Sequence, residues 1–141
     1  MKIRLVPGFP GYAVSEFGQV FRDGEMLDAE IDAYGYAKVT LRKKRNGRVR
    51  RVTRRVCEIV ACAFCGVSLD KPRVWEIRHR NGSTSDNHYS NLIRVPASPH
   101  VAILDKRLRG MDTASRIYFR REYVERGYFP WRKLFRKSSS R

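Results

Sequence analysis

The densest run of chemistry-bearing side chains in this chain is His79-Arg80-Asn81-Gly82-Ser83-Thr84-Ser85-Asp86-Asn87-His88-Tyr89-Ser90-Asn91-Leu92, with His100 eight residues further on. A neutral imidazole can take a proton from water, and a second polar ligand can hold a divalent ion against a scissile phosphate. That inventory suits hydrolysis of a phosphodiester at a one-metal site. Lys and Arg number 30 against 14 Asp and Glu, a formal net charge of +16. Such a field favours association with phosphate backbones, so the implied substrate is a polyanion.

For His79 and His100 to act together, rigid elements must bring them together. Val74-Trp75-Glu76-Ile77-Arg78 reads as a strand ending at His79, residues 80–90 as a polar loop, and Leu92-Ile93-Arg94-Val95 as a second strand. Ser98 is the expected N-cap of a helix running to about Arg109 and stopped by Gly110. This strand–loop–strand–helix order places His79 at a strand end and His100 in a first helical turn. His88, in mid-loop, reads as a surface residue.

Upstream, residues 3–41 read as short strands separated by Pro-Gly and Asp-Gly turns. Tyr34 to Leu41 is aromatic and β-branched on alternating positions, a strand pattern. Asn46-Gly47 then signals a hairpin turn into Val49 to Thr53. From Arg42 to Arg55, nine of fourteen residues are Lys or Arg and none is acidic. The candidate DNA contacts are Arg42, Lys43, Lys44, Arg45, Arg48, Arg50, Arg51, Arg54 and Arg55, because a basic two-stranded ribbon can enter a groove or follow a backbone. The segment Val56 to Phe64 reads as a buried helix in which Cys57 and Cys62 serve as small apolar residues. Three closely spaced cysteines (Cys57, Cys62, Cys65) do not form a disulfide framework.

Downstream, Asp112 or Thr113 is placed to cap a helix through Glu125, ended by Gly127. Its aromatics, with Tyr128, Phe129, Trp131 and Phe135 beyond, are interleaved with Arg and Lys and could stack on bases or dock the helix on the domain. No stretch approaches the ~20 apolar residues of a membrane span. The N-terminal Met1-Lys2-Ile3-Arg4 lacks the apolar core of a signal peptide. The expectation is a soluble protein of the cytoplasm, acting in the host cell of a phage or at the nucleoid, with no membrane partner.

Two stretches resemble a known family. Phe9-Pro10-Gly11-Tyr12-Ala13-Val14-Ser15-Glu16-Phe17-Gly18-Gln19-Val20 resembles the small module at the front of phage HNH endonucleases, with its Tyr-x-Val-Ser-x-x-Gly-x-Val pattern. Val56 to Phe64, then His79-x-Asn81-Gly82 and Asn87-x-x-x-Asn91-Leu92, resemble the HNH core. The resemblance spans roughly residues 3–109. It implies an α+β fold with a β-rich module over 1–55 and a ββα-metal core over 56–110, while the basic helical tail over 111–141 is read from its own residues and lies outside it. It also implies metal-dependent cleavage of double-stranded DNA, of phage or homing type, by a monomer or homodimer. His79 would be the general base and Asn91 the central asparagine that braces the loop. His100 would be a metal ligand, with Asn81 or Asp86 a second ligand for Mg²⁺ or Mn²⁺. Gly82 and Asn87 would shape the loop. Two positions depart from the pattern. Cys57 stands where the family helix usually has His, and Arg78 stands where Asp or Asn often helps to bind metal. A guanidinium has no lone pair for a metal, so Arg78, with Arg80, is assigned to phosphate. The competing expectation is a catalytically weakened HNH-fold protein that binds DNA or RNA.

Overall fold

The computed structural model describes residues 1–69, 75–97 and 99–125. β1 (Ile3–Leu5), β2 (Tyr12–Ser15), β3 (Val20–Arg22) and β4 (Glu25–Met26) form an antiparallel meander in chain order. The turn between β2 and β3 is built by Ser15, which is fully buried. Its Oγ accepts the backbone N–H of Phe17 at 3.2 Å and of Gln19 at 3.0 Å. Gly18 then adopts φ +94°, where a Cβ would lie 2.8 Å from Val56 Cγ1 and 3.0 Å from Asn87 Cβ. Both backbone and space therefore demand glycine. This gives the Val-Ser-x-x-Gly-x-Val pattern its physical content.

β5 (Glu30–Ile31), β6 (Ala37–Arg45) and β7 (Arg48–Arg55) make a second antiparallel sheet. The hairpin turns at Asn46-Gly47, with φ of 52° and 74°, as its sequence predicts. Val39 and Leu41 bury its base, while its distal half is mostly exposed. β7 runs directly into α1 (Val56–Cys65), whose Glu58 accepts the Arg55 N–H at 3.0 Å and whose end is capped by left-handed Gly66. α1 is central, touching β1, β2, β6, β7, β8 and β9. Cys57 and Cys62 are buried, Cys65 is exposed, and all three thiols are free. Burial pushes the Cys57 thiol well up from its ordinary value.

β8 (Trp75–His79) and β9 (Leu92–Pro96) pair antiparallel with His79 opposite Leu92, and α2 (Pro99–Leu108) follows. The expected strand–loop–strand–helix is present, with α2 ending one residue before the expected Arg109. Ser98, the expected N-cap, lies outside the described residues. Asp112 caps α3 (Thr113–Arg120), its carboxylate accepting the Ser115 N–H at 3.1 Å. The chain continues as a wider π-type turn over Arg121–Glu125. Gly127, Tyr128, Phe129, Trp131 and Phe135 lie outside the described residues. One apolar cluster runs from Val6 and Phe9 through Leu41, Ile59 and Val60 to Ile77 and Leu92, so meander, hairpin base, α1 and ribbon share a core. Among the described residues no helix is long and apolar enough to cross a membrane.

Arg120 pins α3 to this core. It is 1% exposed and donates to Asp105 of α2 at 2.6 Å and Glu76 of β8 at 3.0 Å. Truncating it removes one buried guanidinium from two acids, Asp105 and the 8%-exposed Glu76. Arg120→Ala is therefore expected to lower the unfolding free energy by about 3–5 kcal/mol in urea titrations.

Candidate active site

His79 ends β8 with its side chain fully buried. Its Nδ1 lies 2.8 Å from Glu125 Oε1, which also accepts the His79 backbone N–H. Its Nε2 lies 2.8 Å from Asn87 Oδ1. The second Glu125 oxygen accepts the Tyr36 hydroxyl at 2.5 Å. Tyr36 is held in turn by Asp32, whose Oδ1 accepts the N–H of Tyr34 at 2.8 Å and of Tyr36 at 3.0 Å. Arg55 closes the chain: its Nε donates to Asp32 Oδ2 at 3.0 Å, and its guanidinium stands 4.1 Å over the Tyr36 ring.

Burial by itself would push the His79 imidazole down. The Glu125 carboxylate and the Asn87 amide outweigh it and hold His79 above the ordinary histidine value. Burial would likewise push Glu125 up, but His79 first and Tyr36 next hold it below the ordinary carboxylate value. Each partner thus favours the charged form of the other. With Asn87 Oδ1 facing the ring, Nε2 carries a proton. An amide turned end for end would instead donate to the lone pair of a neutral ring.

Asn91 locks the loop after His79. Its Oδ1 accepts the Asn81 N–H at 3.1 Å, and its Nδ2 donates to Asn81 Oδ1 at 3.0 Å and to the Asp86 carbonyl at 2.8 Å. Gly82, at φ 74°, returns its N–H to the His79 carbonyl at 3.0 Å. Asn87 sits on His79 itself. His88 does more than face solvent: its Nδ1 accepts the Ser90 N–H at 3.1 Å and caps the 3₁₀ turn Tyr89–Asn91.

The cations divide. Arg42, Lys44, Arg45, Arg48, Arg50, Arg51 and Arg80 are exposed, and Lys43 is half-buried over the Phe9 ring. Arg54 and Arg55 are half-buried and bonded internally, Arg54 to the Leu69 carbonyl at 3.2 Å. Arg78 Nη2 donates to the Glu125 carbonyl at 3.3 Å. His100 stands in the first turn of α2, and its side chain lies outside the described residues.

The described donors do not fit a divalent ion as arranged. Asn81 Oδ1 takes hydrogen bonds from Ser83 N and Asn91 Nδ2. Asp86 Oδ2 takes one from Asn81, and Glu125 is filled by His79 and Tyr36. Among the described residues no three His, Cys, Asp or Glu side chains form a metal-holding group. Glu125 has no counterpart in the sequence expectations. It stands 46 residues from His79, and an acid in a basic helix carries no sign of where it folds.

No family model and no curated protein matches the chain. Among solved structures it matches I-HmuI, an HNH homing endonuclease studied for DNA binding and cleavage. The TM-score is 0.53 at 22% identity, over 85% of this chain and 66% of that one, so the chain spans just under two thirds of its neighbour. The fold is HNH-like.

The two pKa directions fix a pH window. His79, raised, stabilises the fold fully below the ordinary histidine value of 6.5, and this is lost as pH climbs through its folded value. Glu125, lowered, stabilises fully above its ordinary 4.5, and this is lost as pH falls through its folded value. The urea midpoint of the wild type should exceed that of Glu125→Gln most between about pH 4.5 and 6.5, the gap narrowing on both sides.

Proposed function

We propose that the protein is an HNH-type endonuclease that binds duplex DNA through the β6–β7 hairpin and hydrolyses a phosphodiester with His79 as base. The observation that carries this reading is the ββα frame with His79 at the end of β8 and Asn91 locking the loop that follows. In this reading Asn87 turns aside and Nε2 releases its proton to solvent; the neutral ring, its Nδ1–H still on Glu125, then accepts a proton from the attacking water at Nε2. The water oxygen attacks phosphorus as the P–O bond to the strand's ester oxygen breaks, and that oxygen leaves with a proton from solvent. Arg80, exposed at the loop's start, is the cation next to that phosphate.

The hairpin supports the binding half. Its register sets Arg42 opposite Arg51, Lys43 opposite Arg50 and Arg45 opposite Arg48. Like charges directly opposite destabilise a ladder, and a polyanion removes that repulsion. A cleft of about 840 Å³ beside the hairpin is lined by Arg22, Arg42, Lys43 and Lys44 and, among the described residues, by no acid. One site per chain suits nicking, and a homodimer would cut both strands.

A second reading, a DNA- or RNA-binding protein that does not cleave, is favoured by the enclosure of His79, both of whose ring nitrogens have protein partners. Plasmid assays in Mg²⁺ or Mn²⁺ and in EDTA separate the two. Wild type should nick, and His79→Ala should bind but not nick. Salt-sensitive binding by a wild type that never nicks would leave the second reading standing. Arg42→Ala, Arg50→Ala and Arg51→Ala should each reduce the salt slope of DNA affinity by about 1.

A further inference from the structure

We propose that Glu125 is a positioning residue of this site, and that Arg78 serves to anchor the segment that delivers it. The proposal rests on the nuclease reading of His79. Successive side chains of a strand point to opposite faces, yet both residues at the end of β8 reach Glu125. His79 takes its carboxylate through Nδ1 and the backbone N–H, and Arg78 takes its carbonyl. The Tyr36 hydroxyl fills the other carboxylate oxygen. The segment is held from behind by Arg120, which ties α3 to Glu76 and Asp105.

Every polar atom of the Glu125 carboxylate is therefore committed to holding His79 or to being held for it. A carboxylate on Nδ1 keeps that nitrogen protonated, fixes the ring plane, and leaves Nε2 as the nitrogen that exchanges protons with the reaction. Arg78 then has a definite role. It cannot be a ligand, and it fastens the backbone that carries an acid to the neighbouring histidine.

The test uses the full chain with ¹⁵N-labelled histidine, as wild type, Glu125→Gln and Tyr36→Phe, with the His79 ring signals identified by their loss in His79→Ala. The wild type should show a strongly deshielded Nδ1 proton. Glu125→Gln keeps the shape but not the charge. It should lose that signature and nick DNA about 10- to 100-fold more slowly, the usual range for a partner of a reacting group, with the DNA-binding midpoint unchanged. Tyr36→Phe should keep the Nδ1 signal and slow nicking by less, and it reports in place of Glu125→Gln should that variant not fold. Nicking at the wild-type rate by the folded Glu125→Gln, or by Tyr36→Phe in its place, or a His79 signal indifferent to Glu125→Gln, would overturn the proposal. A wild type that does not nick removes the nuclease reading instead, and the ring signals then decide alone whether Glu125 holds His79.

Discussion

The contact between Glu125 and His79 constrains everything around it. A carboxylate and an imidazole lie out of water, and the cost of stripping their hydration is recovered only if each remaining lone pair and proton is bonded. Glu125 needs a donor for its second oxygen, so the Tyr36 hydroxyl must reach it. Tyr36 needs a fixed backbone, so Asp32 gathers the N–H groups of Tyr34 and Tyr36. Asp32, half-buried, needs a cation, and Arg55 provides it at the junction of β7 and α1. A requirement set at one histidine thus fixes side chains before β6, at the end of β7 and beyond α3.

The loop over His79 is constrained from the other side by the N-terminal strands. Gly18 leaves room for Asn87. The Glu16 carbonyl accepts the Tyr89 N–H at 3.2 Å, and the Gly35 carbonyl accepts the Thr84 hydroxyl at 3.0 Å. Tyr89 also stacks on Phe64 of α1 with ring planes 4° apart. The meander therefore forms a wall of the site. A side chain at position 18 would push on the residue that covers Nε2, which links the glycine of the first motif to the histidine of the second.

Much of this was legible in the sequence, for local reasons. Asn46-Gly47 specifies its turn by backbone preference, the apolar run from Val56 specifies a central helix, and Asp112 specifies a cap. The brace by Asn91 was legible only through the resemblance, since an asparagine's partners cannot be read from its neighbours. What could not be read depends on chain segments meeting late. Glu125 lies on a helix of mixed polarity, and its destination is set by Arg120 finding Glu76 and Asp105. Arg55 sits in a run of exposed cations but is drawn inward by Asp32. Arg78 was assigned to phosphate on charge alone, whereas its guanidinium donates to a backbone carbonyl.

These exceptions show how a chain of net charge +16 holds itself together. Three of its arginines, at 55, 78 and 120, are withdrawn from the surface and bonded to acids or a carbonyl around the His79 core. Arg55 and Arg120 are balanced by acids, and all three tie chain segments together. The distal hairpin is built the opposite way, with cation facing cation across the ladder and most of its side chains exposed. Self-repulsion of that kind is a standing cost to the free protein. It is relieved when phosphates intervene, and the gain appears as binding free energy that falls with salt. The same residue type therefore does two separable jobs. Inside, it fixes the geometry around His79, and outside, it gathers the like charge that the polyanion of the proposed function would relieve.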